Sequence, residues 1–407
     1  MFKTFLLIVI LASWAWSVFM AVLTKRQHAL PLPENVRGIY DDEGYRRFLA
    51  YSDEKTRFGL LVSTLDTALL LIFFGFDLFS AIARLLPQGP YLNPILLMGT
   101  VIAGSTLLSL PFGWYDRMHI EEKYGFNTAT PGTFAADSIK SLLLSLVLST
   151  GFTALCVFLW SRFGTGFIPF VYALVAVFSV VVSTFYMTFS KLFNRYTPLD
   201  DGSLRDRLVR LFESRGFNLK AIYVMDASRR STRANAFCAG LGKFKQIALY
   251  DTLVNHYSED EIVAIFAHEL SHFEHRDTLK MTLIELLLFA PAVLILLALV
   301  SDPALLASVG FAQINMAMVF IIMKEALLGP LLFICMIPLN AYSRRCEYRA
   351  DRGAVAAGMG GALIASLKKL SRDDFADLNP HPLKVRLSYS HPPMAERIAA
   401  IEEAEKA

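Results

Sequence analysis

Cysteine is scarce in this 407-residue chain and poorly placed for any framework. Its four residues, Cys156, Cys238, Cys335 and Cys346, lie far apart and form no C-x-x-C pair. That argues against a disulfide scaffold and a cysteine-rich metal site, leaving buried or incidental thiols. An excess of one charge is also lacking: the net formal charge is +3, and no basic run is interleaved with aromatics. A nucleic-acid partner is therefore not expected. Internal repeats and low-complexity segments are absent. Histidine is rare, with eight residues in all, so a close pair of histidines is informative.

What the chain has in quantity is apolar length. The apolar fraction is 55% and the mean hydropathy is +0.45, yet charged residues still make up 18%. This mixture points to a membrane part and a soluble part in one chain. Runs long enough to cross a hydrocarbon layer of roughly 30 Å recur. They fall at Phe5–Leu23, Gly59–Leu86, Tyr91–Phe112, Ile139–Trp160, Phe167–Leu192, Met281–Val300 and Phe311–Leu339. Pro291 and Pro330 are expected to kink the last two. The first run is too long for a signal-peptide core and ends at Thr24-Lys25-Arg26, so it reads as a retained membrane helix.

The expected organisation is five membrane helices over residues 1–190 and a soluble segment over 191–280. Two further membrane helices over 281–340 and a carboxy-terminal soluble segment over 341–407 follow. The first connection carries Lys25, Arg26, Arg37, Arg46, Arg47, Lys55 and Arg57 on the same side as both hydrophilic segments. The opposite side holds little beyond Lys3, Arg84 and Arg162. By the excess of positive charge both soluble segments are expected to be cytoplasmic and the amino terminus to lie on the other side. Asp66, Asp77, Glu285, Lys324 and Glu325 fall inside the spans, and charges at that depth are expected to face a protein interior or a water-filled space.

The 191–280 segment reads as α+β. Leu204, Leu208, Leu211 and Phe212 mark an amphipathic helix that Gly216 can end. Ala221–Met225 and Gln246–Tyr250 have strand composition, with Asn235–Cys238 as an edge strand between them. Ser258 and Glu261 make a capping box ahead of Ile262, Ile265 and Phe266, so a helix begins just upstream of His268.

That helix carries His268-Glu269-Leu270-Ser271-His272, an HExxH sequence. Positions i and i+4 share a helix face, so both imidazoles can hold one zinc ion while Glu269 stands beside its open position as a general base. Zinc lowers the pKa of a water to around 7, which makes a nucleophile available at neutral pH. A catalytic zinc site needs a third protein ligand. Glu347 is the choice, on a helix just after the last span, with Asp351 one turn further on the same face. Asp351 can accept the free N–H of a ligand histidine. His275, on much the same face as His272, is a rival third ligand.

Several segments together resemble the type 1 CAAX prenyl proteases, integral-membrane zinc metalloproteases of the gluzincin group, over nearly the whole chain. They are Glu121-Glu122-Lys123-Tyr124-Gly125-Phe126-Asn127, Asn235-Ala236-Phe237, Leu249 to Leu253, the HExxH, Glu347 to Asp351, and Ser390-His391-Pro392-Pro393 with Glu396-Arg397. The resemblance implies an α-helical polytopic membrane protein, about seven helices around a hydrophilic chamber, with a small α+β gluzincin-like zinc metalloprotease domain. It implies one zinc per chain, Glu347 as third ligand and Asp351 as its neighbour behind the ligands. It also implies that Asn235, Ala236 and Phe237 hold the substrate backbone as an added strand. His391 would stabilise the oxyanion, and Arg397 would orient nearby groups or substrate. Asp277 departs from the histidine of many eukaryotic members, which leaves that position without a role.

The function expected is hydrolysis of peptide bonds in peptides or membrane-associated proteins. The resemblance narrows this to removal of the last three residues after a prenylated cysteine. Partners would be peptide or protein substrate, prenylated in the CAAX case, and membrane lipid. Broad turnover of membrane proteins is the alternative within the same chemistry, and a transporter or channel is the alternative from another class. The tail Glu402-Glu403-Ala404-Glu405-Lys406-Ala407 has no KDEL-type signal, which favours a bacterial inner membrane over the endoplasmic reticulum.

Overall fold

The computed structural model describes residues 1–217, 221–239 and 246–407. Among them, six apolar helical stretches are long enough to cross a membrane: Phe2–His28, Asp42–Gly75, Leu92–Glu121, Pro131–Thr184, Asp277–Ser301 and Met316–Ala356. The fourth has 54 residues, which at 1.5 Å per residue would reach about 80 Å, far more than one crossing needs. It breaks at Gly164, whose φ of +53° suits glycine, into Pro131–Phe163 and Ile168–Thr184. Counted as two crossings, it brings the described residues to seven spans, in line with the number expected.

One departure from the expected spans has a local cause, and the two kinks expected at prolines are found. The run expected at Gly59–Leu86 is split, because Asp77 takes a left-handed conformation (φ +55°) and the short helix Leu78–Leu85 starts there. Lys3 pairs with Asp77 at 2.8 Å, which compensates the charge at that break. Near Pro291 the helix divides into Asp277–Leu288 and Ala290–Ser301. Pro330 follows a π-helical turn, Met323–Leu327, before the helix Leu328–Ala356 resumes. Proline supplies no N–H to the helical ladder, which accounts for the last two interruptions.

The helix Asp42–Gly75 buries only 6% of its most apolar window, and its buried residues, Phe48, Tyr51 and Phe74, lie toward its two ends. Midway along it, Thr64 accepts a hydrogen bond from Trp14 Nε1 at 2.9 Å, and Asp66 is exposed.

The soluble part is a four-stranded sheet with helices against it. Its strands are β1 (Tyr196–Pro198), β2 (Ile222–Met225), β3 (Ala236–Ala239) and β4 (Gln246–Tyr250), in the order β1-β2-β4-β3. β2 and β4 are parallel, and β3 runs antiparallel to β4 at the edge. The amphipathic helix Ser203–Glu213 and the HExxH helix Glu259–Glu274 close one core around Leu208, Phe212, Leu249, Ile262 and Phe266. The Ser258–Glu261 capping box is formed in both directions, with Ser258 N–H donating to Glu261 at 2.8 Å and Glu261 N–H donating to Ser258 Oγ at 3.3 Å.

The helix Leu328–Ala356 continues from the membrane into the soluble part and packs along the HExxH helix. Small residues make that approach close: Ala264, Ala267 and Ser271 on one side, Ala350, Gly353 and Ala354 on the other. A Cβ on Gly353 would stand 2.8 Å from both Cβ and Oγ of Ser271. Gly353→Ala is therefore expected to cost about 1–3 kcal/mol by overpacking. Thermal melting should show a lower midpoint and metal should be held less tightly; adding Ser271→Gly should return part of both losses. An unchanged midpoint and unchanged metal retention in Gly353→Ala would mean the helices do not meet as described.

Candidate metal centre

The HExxH helix presents His268 and His272 one turn apart, and Glu347 faces them from the Leu328–Ala356 helix. His268 Nε2 lies 3.3 Å from His272 Nε2 and 3.4 Å from Glu347 Oε2, and His272 Nε2 lies 3.4 Å from Glu347 Oε1. One ligand atom from each of the three falls within 4.8 Å of the others.

Behind each imidazole stands a carboxylate. His268 Nδ1 is 2.9 Å from Asp351 Oδ1, and His272 Nδ1 is 2.9 Å from Asp277 Oδ2. Each carboxylate in turn has its own arginine. Arg397 grips Asp351 through Nε (2.9 Å) and Nη2 (2.5 Å), and Arg349 bonds Asp277. Donation from both Nδ1–H groups fixes the tautomers and leaves the two Nε2 lone pairs facing each other. Glu347 Oε2 is buried without a hydrogen-bond donor. Such a cluster needs a cation at its centre, either a proton or a metal ion. Glu269, Glu347, Asp277 and Asp351 with Arg349 and Arg397 leave a formal charge of two negative, which a divalent ion neutralises. The donor set of two imidazoles and one carboxylate suits zinc.

Sequence reasoning assigned no role to Asp277. It is buried, and it follows Arg276, a non-glycine residue held at φ +55°. That left-handed turn folds the chain back so that Asp277 meets His272. The only signal in the sequence is an aspartate five residues after the second histidine of the HExxH. His275, the rival ligand, turns away: its Nδ1 is 2.8 Å from the Ser271 carbonyl oxygen, as a helix-terminal residue bonds its own last turn.

Glu269 is half-buried and makes no side-chain hydrogen bond or ion pair among the described residues, so its carboxylate is free to take a proton. His391 sits at the mouth, exposed on its outer edge, with Nε2 3.3 Å from Glu347 Oε1 and Nδ1 2.8 Å from Ser390 Oγ. Desolvation of its inner edge, with Arg397 and the two other histidines, holds it below the ordinary imidazole range despite Glu347. With Nε2 facing a carboxylate oxygen, that nitrogen is the one placed to carry a proton and act as a donor.

Asn235, Ala236 and Phe237 lie at the start of β3, which packs beside the HExxH helix. Tyr250 N–H donates to the Asn235 carbonyl at 2.9 Å. By the alternation of an antiparallel ladder, Ala236 then turns its N–H and C=O to the open edge. The Asn235 side chain covers that outward N–H at 2.8 Å.

The two parts of this architecture match two family models. One, described as the CAAX prenyl protease N-terminal with five membrane helices, matches residues 20–195. The other, Peptidase family M48, matches residues 198–405. Fold and site together define a membrane metalloendopeptidase of the M48 class. The chain is 33% identical to the CAAX prenyl protease 1 homolog of Arabidopsis thaliana over 393 residues, covering 92% of this chain and 91% of that one. It is 31% identical to the probable CAAX prenyl protease 1 of Schizosaccharomyces pombe over 414 residues, covering 96% and 86%. It is also similar to the crystal structure of S. mikatae Ste24p, with a TM-score of 0.90, 27% identity and 99% of each chain covered. The chain belongs to the CAAX prenyl protease 1 family.

Without metal, burial lowers the proton affinity of His268, but Asp351 and Glu347 outweigh it and hold the pKa up at about 9. Since the folded-state value is raised, His268 keeps its proton at every pH below about 9, and an incoming metal ion has to displace it. Chelator-competition titration between pH 6.5 and 8.5 should show metal affinity rising about tenfold per pH unit. A flat profile would mean that no proton shares the site.

Proposed function

We propose that this chain is a zinc endopeptidase that cleaves the carboxy-terminal tripeptide after a prenylated cysteine, with its catalytic segments facing the cytoplasm. The observation that carries the reading is the cluster of His268, His272 and Glu347 backed by two aspartates, in a chain related over 92% of its length to a CAAX prenyl protease 1 homolog. The excess of Lys and Arg in the first connection and the hydrophilic segments supports the orientation.

One zinc ion held by His268, His272 and Glu347 would supply Lewis acidity, lowering the pKa of a water to around 7 and stabilising negative charge on the scissile carbonyl. The chain's own residues do the rest. The open edge of β3 receives the substrate in extended form, pairing with the outward N–H and C=O of Ala236 in place of the Asn235 side chain. Glu269 accepts the proton of the attacking water and later delivers it to the leaving amine. His391 donates its Nε2–H to the developing oxyanion. Asp351 and Asp277, held by Arg397 and Arg349, keep the two imidazoles aimed.

Glu269→Gln is expected to keep its metal and lose cleavage, with kcat falling by roughly 100- to 10,000-fold. Metal analysis beside cleavage of a farnesylated CAAX peptide and an unprenylated control checks this. Normal cleavage by the purified variant would remove Glu269 from the mechanism, and equal cleavage of both peptides would remove prenyl specificity. Ala236→Pro deletes an outward donor while sparing the ladder to β4, and should raise KM by about tenfold, the worth of one hydrogen bond. An unchanged KM would rule out strand addition at this edge.

A further inference from the structure

The segment Glu121–Asn127 plays no part in the chemistry above, although it lies against the loop that leads into β3. Asn127 and Ser231 form an antiparallel bridge, Thr232 N–H donates to the Phe126 carbonyl at 3.2 Å, and Thr232 Oγ1 donates to the Gly125 carbonyl at 2.9 Å. Gly125 has a φ of +86°, so the turn that offers these carbonyls is one that glycine takes without strain. Two residues before Asn235, Arg233 lies over the Phe126 ring, 4.4 Å from its centroid. Its Nη2 donates to Tyr51 Oη at 2.9 Å and approaches Glu121 Oε2 at 3.3 Å.

Glu121 is the hub of this contact. Tyr51 Oη donates to its Oε1 at 2.7 Å, and Lys55 Nζ lies 3.0 Å from the same oxygen and 2.5 Å from Asp116 Oδ1. Tyr51 and Lys55 belong to the membrane helix Asp42–Gly75, and Glu121 ends the helical stretch Leu92–Glu121. On the far side of the loop, Thr252 Oγ1 donates to the Arg233 carbonyl at 2.8 Å. Arg233 is thus held by its side chain to two membrane helices and by its backbone to the soluble domain, and the next residues are Ala234, which is buried, and Asn235, which is exposed.

From this arrangement we infer that Arg233 is a positioning residue for substrate, and that the Tyr51–Glu121–Arg233 contact fixes the height of the β3 edge relative to the membrane helices. A peptide emerging from the membrane has to meet a fixed edge to lie in register with the metal centre, and a shift of about 1 Å at Asn235 would misplace it. The inference rests on the strand-addition reading of β3. It gives Glu121, Gly125, Phe126 and Asn127 a common purpose that neither metal binding nor proton transfer supplies.

The test compares Arg233→Ala, Arg233→Lys, Glu121→Gln and Ala236→Pro in the full-length, metal-loaded protein, with the farnesylated CAAX peptide as probe. Arg233→Ala should raise KM about tenfold through loss of hydrogen bonds to a charged group, with kcat held within about twofold. Metal content should stay at the wild-type value, and any fall in melting midpoint should be matched by Glu121→Gln. Arg233→Lys, which keeps a cationic donor, should recover KM to within about threefold of wild type. Glu121→Gln should shift KM in the same direction as Arg233→Ala, and the double variant should be no worse than the worse single one, as members of one contact behave. If Ala236→Pro raises KM and Arg233→Ala does not, the positioning role is wrong while strand addition stands. If neither raises KM, strand addition is wrong and the positioning role falls with it. If Arg233→Ala sheds metal or unfolds, Glu121→Gln decides, and an unchanged KM in that metal-loaded variant overturns the inference.

Discussion

Ser271 and Gly353 stand where the HExxH helix and the Leu328–Ala356 helix touch, with no room for a further carbon between them. That approach brings Glu347, less than two turns before Gly353, to within 3.4 Å of both histidines. A larger residue at either position would separate the ligand set, whatever else in the chain stayed in place. The small residues flanking the contact therefore serve the metal centre as directly as the ligands do. Because Glu347 rides on a helix that is continuous with a membrane span, the same contact fixes the catalytic part on the membrane part.

Around that contact the electrostatics repeat. An imidazole is backed by an aspartate, and the aspartate by an arginine, once on each side of the centre. Buried carboxylates are costly unless fully paired, and here each one is shared between an imidazole N–H and a guanidinium. The two arrangements aim the Nε2 atoms at one point and leave a local excess of negative charge. The pull toward a divalent cation is thus built into the folded protein rather than into the three ligands alone.

Much of this was legible in the sequence because it obeys short-range rules. The HExxH spacing, the Ser258–Glu261 box and the pair Glu347 and Asp351 are all statements about one helix face, and periodicity reads helix faces well. The Asp277 contact was not legible, because it depends on a single left-handed residue, Arg276, that reverses the chain. The limits of the second span failed for a related reason: hydropathy runs on through Phe76 and Asp77, while the backbone breaks there. Segment boundaries drawn by hydropathy near residue 340 fall inside one continuous helix, since a helix leaving the membrane changes its surroundings without changing its backbone. The clamp around Glu121 joins residues 51, 121 and 233, and no local pattern announces a contact at such separations.

In the proposed three-ligand metal centre, Glu347 is the one ligand that comes from outside the HExxH helix. Metal content of purified wild-type and Glu347→Ala protein, with X-ray absorption at the zinc edge, tests this most directly. The account predicts about one zinc per wild-type chain bound by two imidazole nitrogens and a carboxylate oxygen, and zinc lost or weakened at least tenfold in the variant. Full zinc content with an unchanged absorption spectrum in Glu347→Ala, or no zinc in the wild-type protein, would contradict it.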